Sequence, residues 1–131
     1  MIRVLIKASS RFPINRKKIR QAAASVLKKN GVKGEIEVSI SIVGDRKMKI
    51  LNKEYLKREG TVSILSFPLE NTTEDLGLGF ADSPDGVLRL GDIVVSYPQV
   101  IKQAVKESIF IDKEIESLIK HGMKNLLGIQ N

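Results

Sequence analysis

An α+β fold in one domain, a mixed sheet of about four strands packed with about four or five helices, is predicted by three features of the sequence. Residues 36–42 alternate strictly between apolar and polar side chains, and 2–7 do so nearly as cleanly. Two short apolar, β-branched runs lie further on, at 62–67 and 93–97. Several stretches with helical spacing of apolar residues separate and follow them. A chain of 131 residues with 42% hydrophobic content has enough material for one core, and residues 1–131 are read as a single domain.

The elements follow in order. Ile2, Val4 and Ile6 point one way from a first strand, with Arg3, Leu5 and Lys7 on its other side. Ile19, Ala22, Ala23, Val26 and Leu27 make the stripe of a basic amphipathic helix that Asn30-Gly31 stops. Ile36, Val38, Ile40 and Ile42 form the inner face of a second strand. Asp45 is the expected cap of a short helix whose inward face is Met48, Leu51 and Tyr55. The runs VSILSF at 62–67 and IVVSY at 93–97 read as interior strands, and 69–88, with Gly77, Gly79, Pro84 and Gly86, as a loop or weak hairpin. Pro98 suits the first turn of a helix that turns Ile101, Ala104 and Val105 inward. In the last helix, Asp112 is the expected cap, and Ile115, Leu118, Ile119, Gly122, Met123, Leu126 and Leu127 form one stripe ended by Gly128.

Composition narrows the function. With no cysteine in the chain, disulfides, thiolate metal sites and a cysteine nucleophile are excluded. No stretch approaches the ~20 apolar residues of a membrane span, and the start shows no secretion signal, so a cytoplasmic protein is expected. The charge of +7 is unevenly placed: residues 1–66 carry a net +11 and residues 67–131 a net −4. A basic half suits a polyanion such as RNA. Arg16, Lys17 and Arg20, outside the stripe of the first helix, are the candidate RNA contacts, although lysine-rich helices are also commonly just well solvated.

His121 is the only histidine, and Asn125 falls on the same flank of the last helix one turn later. Asn131, three residues past the break at Gly128, is placed to fold back toward them. A His followed by polar residues four and ten positions later, with Gly seven positions later, is the spacing by which a helix and its following turn arrange three ligands around a metal. A lone His beside an apolar stripe is also an ordinary helix-end residue.

The segment HGMKNLLGIQN at 121–131 resembles the HGxLHLxGYDH signature of the YbeY family, bacterial metal-dependent endoribonucleases of rRNA maturation. LNKEYLKREGTVSILSFP at 51–68 is similar to that family's LNxxYRxKDxPTDVLSFP, and LGDIVVSYPQVIKQA at 90–104 to its LGDIVIS segment and following helix. The resemblance spans nearly the whole chain with the motifs in register. It implies a YbeY-like α+β fold, zinc as the family's cofactor, and small-subunit rRNA or ribosome-associated factors as partners. The family's three zinc ligands correspond to His121, Asn125 and Asn131, of which only the first is His. The family's functional Arg corresponds to Leu56, with Arg58 two positions on as the available guanidinium. Asn offers a neutral carbonyl oxygen where zinc prefers imidazole, so two function classes are expected. One is a YbeY-like endoribonuclease with an impaired metal site. The other is a non-catalytic RNA- or ribosome-binding relative without zinc.

Overall fold

The computed structural model describes residues 1–69 and 85–129. Asn15 opens α1 (Arg16–Lys29) by accepting the Lys18 amide at 3.1 Å, and the helix ends on Lys28 and Lys29, favourable at the negative end of its dipole. It connects β1 (Ile2–Ala8) to β2 (Glu35–Val43), which pair in parallel. Then come α2 (Asp45–Leu56), β3 (Ile64–Pro68), β4 (Val87–Ser96), α3 (Tyr97–Glu107) and α4 (Ile111–Leu126). The sheet runs β1-β2-β4-β3, with β4 parallel to β2 and β3 antiparallel to β4. This is the expected α+β architecture.

The even residues of β1 and β2 meet α1 and α4 in the main core, where Leu27, Ile40, Ile93, Ile119 and Met123 are wholly buried. Each such side chain stabilises the fold by about 1.5–3 kcal/mol. The other face of the sheet has a smaller cover. Among the described residues only α2 lies on it, packing Met48 and Leu51 against Leu65 and Val94. A bulge in β4 sets which side chains reach which face. Arg89 pairs with Glu37 and Asp92 with Ser39, so two β4 residues oppose Val38. Leu88 and Leu90 before the bulge and Ile93 and Val95 after it therefore all enter the main core, while Asp92 and Val94 turn to the α2 side. Gly91 makes this possible: at φ +133°, an added Cβ would stand 2.2 Å from the Phe67 carbonyl oxygen.

Several expectations are corrected. The run 62–67 is not an interior strand; β3 lies at the sheet edge, its apolar residues covered by α4 on one face and α2 on the other. Strand β4 begins at Val87, within the expected loop 69–88, so Asp92 lies well inside it. Residues 70–84 of that loop lie outside the described residues. In α3 the buried stripe is Tyr97, Val100 and Ala104, leaving Ile101 and Val105 exposed. The stripe is rotated because Tyr97 belongs to the helix and is anchored inward, its hydroxyl donating to the Pro13 carbonyl at 2.7 Å and its ring stacked on Phe12. Tyr55 is 59% exposed rather than inward, because α2 covers only the β3 and β4 side of its sheet face and Tyr55 meets Phe67 edge-on at its rim. Gly44 and Phe110, not Asp45 and Asp112, precede the first turns of α2 and α4; both aspartates sit inside those turns, still matched to the helix dipoles.

Candidate functional site at the last helix

Gly122 brings α4 down onto the sheet. A Cβ there would lie 3.0 Å from the δ-carbons of Ile64 on β3 and Ile93 on β4, so the bare backbone lets the helix settle over these two strands. His121, the preceding residue, is thereby held where α4 crosses toward the edge strand. His121 and Asn125 are one turn apart and both exposed, as their common flank predicts. Asn131 lies outside the described residues.

Arg58 is exposed in the loop from α2 to β3, just after Lys57 ends the helix in a left-handed conformation, and its amide donates to the Asn52 carbonyl at 3.3 Å. Leu56, where the family carries its Arg, is a partly exposed apolar side chain at the end of α2. On α1, Lys17 and Arg20 project outward, but Arg16 turns back and donates Nη1 to the Ile6 carbonyl at 3.0 Å, covering the free edge of β1.

Around the α2–α3 junction, sequence reasoning missed a polar hub. The Asp45 carboxylate accepts Ser96 Oγ at 2.8 Å, Thr61 Oγ1 at 3.1 Å and Gln99 Nε2 at 3.1 Å. Burial pushes this carboxyl up, but the bonds from Ser96, Gln99 and Thr61 together with the charge of Lys102 outweigh it and hold the group below the ordinary range. Asp45 thus ties α2, the loop before β3 and the start of α3. Three partners drawn from distant segments leave no local signal.

A mixed four-stranded sheet with α1 and α4 on one face and α2 on the other, carrying the exposed His121–Asn125 flank on its last helix, defines one class of small α+β domain. The comparisons agree on which one. The family model for endoribonuclease YbeY matches residues 6–130. A Moorella thermoacetica protein named endoribonuclease YbeY is 38% identical over 111 residues, covering 85% of this chain and 68% of that protein. A second of that name, from Dehalococcoides mccartyi, is 32% identical over 130 residues, covering 97% of this chain and 76% of that protein. A solution structure from Thermotoga maritima has the same fold, with TM-score 0.61 at 20% identity over 99% of this chain and 74% of that one. The chain belongs to the YbeY family.

Whether zinc suits this chain is decided by the donors. His121 supplies one imidazole and Asn125 one amide, and among the described residues no group of three His, Cys, Asp or Glu side chains could hold a metal. A borderline-soft ion that asks for three imidazoles or thiolates does not fit that set. Among the described residues, no helix is long and apolar enough to cross a membrane.

Proposed function

We propose that this chain acts in maturation of small-subunit rRNA as an endoribonuclease of the YbeY type. The observation that carries this is the match of the family model over residues 6–130, in register with relatives of that name. In this reading Lys17 and Arg20 neutralise RNA phosphates, Arg58 is the guanidinium nearest in sequence to the family's, and His121 acts from the flank of α4 at the β3 edge. The setting is the cytoplasm, with rRNA or ribosome-associated factors as partners. The chain's own groups bind and orient the strand through charge-assisted hydrogen bonds to phosphate oxygens.

The donor set favours a second reading: a relative that binds rRNA or the ribosome without zinc-dependent cleavage. One experiment separates the two. A single-stranded segment of small-subunit rRNA is incubated with the purified protein, with and without added zinc, beside the His121→Ala and Asn125→His/Asn131→His variants. Cleavage lost in His121→Ala supports the endoribonuclease. Binding without cleavage, with cleavage appearing only in the double variant plus zinc, supports the second reading.

A further inference from the structure

We propose that the sheet face opposite α4 holds a separate pocket for a guanosine of single-stranded RNA, with Asp92 reading the base. The pocket arises because α2 covers only the β3 and β4 side of this face, leaving a cavity of about 600 Å³ over β1 and β2. That size lies in the range of small-molecule sites. Register places its floor. Leu5, Ser39, Asp92 and Phe67 are cross-strand neighbours in one row, and Lys7, Ser41 and Val94 in the next.

The chemistry of this floor selects the occupant. The two small hydroxyls on β2 leave a trough between the exposed Leu5 on one side and the Tyr55–Phe67 pair, centroids 5.2 Å apart, on the other. An apolar wall faced by aromatic edges suits a flat ring. Asp92 is exposed and has no hydrogen-bond or ion-pair partner among the described residues. Neighbouring carboxylates of this face are already engaged: Glu37 is bonded to Arg89 and near Arg3, and Asp85 to Arg89. A free carboxylate on the floor of a stacking trough matches the adjacent N1–H and N2–H₂ donors of guanine, a pairing adenine cannot make because it presents an acceptor at N1. Cations occupy the rim. Lys7 and Lys47 line the pocket. These two lysines favour the phosphates of a nucleotide over a cationic peptide.

The pocket does not depend on His121, and its test is independent of cleavage. Amide and side-chain resonances of the full chain are followed by NMR during titration with guanosine 5′-monophosphate, adenosine 5′-monophosphate, and six-nucleotide single-stranded RNAs of adenosine with or without one central guanosine. The expected result is a shift of Ser39, Ser41, Asp92 and Tyr55 signals with guanosine 5′-monophosphate and, more tightly, with the guanosine-bearing strand. Asp92→Asn, which replaces one acceptor by a donor at an exposed site, should weaken guanosine binding about tenfold and leave adenosine binding unchanged, the loss of one bidentate contact. Tyr55→Ala should weaken both bases alike, as loss of a stacking wall does. Equal affinity for the two bases, perturbation confined to other surfaces, or indifference to Asp92→Asn would each overturn the pocket. Binding of the mononucleotide but not the strand would overturn RNA as the source of the guanosine.

Discussion

At the scale of single residues, two carboxylates differ in what their surroundings ask of them. Asp45 is wanted charged. Asp45→Ala removes the acceptor of Ser96, Thr61 and Gln99 and leaves the Ser96 hydroxyl, wholly buried, with no acceptor from α2, a loss of about 2–4 kcal/mol readable by urea denaturation. Its folded value is depressed, so its contribution is complete above the ordinary 3.8 and is lost as pH falls through the lower folded value. Glu114 is wanted neutral. It is only 7% exposed on the first turn of α4, and burial, then the charge and a hydrogen bond of Glu107, push its carboxyl above the ordinary 4.5. The folded state thus holds a proton that the unfolded chain releases, and the group costs stability once pH rises above that ordinary value. Glu114→Gln should raise the denaturation midpoint at pH 7 and leave it unchanged below pH 4.5. An unchanged midpoint at pH 7 would show that the buried carboxylate is solvated after all.

Among the elements, legibility followed periodicity. The stripes of α1 and α4 and the alternation of β2 could be read directly, because one face of each is buried and the other solvated. The face of α3 was misread since its first inward residue, Tyr97, was assigned to the preceding strand. The edge position of β3 has no sequence signal, as a strand flanked by two helices is as apolar as an interior one. The bulge in β4 was hidden for a similar reason. A glycine inside a β-branched run announces a close backbone approach without saying to what. Knowing the answer to be the Phe67 carbonyl yields a sharp expectation: Gly91→Ala should cost at least about 3 kcal/mol, since the clash is with backbone and φ is in the region closed to side chains. Gly122→Ala meets the side chains of Ile64 and Ile93 rather than backbone and should cost less. Thermal melts of the two variants give the ranking. Of the candidate site, His121 and Asn125 were found on one flank from spacing alone. The exposure of Asp92 on the α2 side of the sheet has no sequence signal, because the bulge creates it.

For the molecule as a whole, the uneven charge implies that RNA attachment and the α4 site can be separated. The first half carries a net +11, its cations spread over α1 on one side of the sheet and α2 on the other, whereas α3 and α4 belong to the half with net −4. Long-range attraction for phosphate should thus originate in the first half. Lys17→Glu with Arg20→Glu changes two exposed positions outside the stripe of Ile19, Ala22, Ala23 and Val26, so the fold should persist with unchanged circular dichroism. Arg16 is left intact because its bond to the Ile6 carbonyl covers the β1 edge, and reversing it would mix a structural loss with the electrostatic one. If Lys17 and Arg20 meet phosphate, affinity should drop for all RNA sequences alike, and the slope of log K against log salt should shrink by about one for each lost contact. His121→Ala removes one side chain from an exposed flank of α4 and should leave both affinity and slope nearly unchanged. Filter binding over a salt series measures all three proteins. Abolition of binding by His121→Ala, with indifference to the two reversals, would place attachment at α4 and make the basic helix a solvated surface.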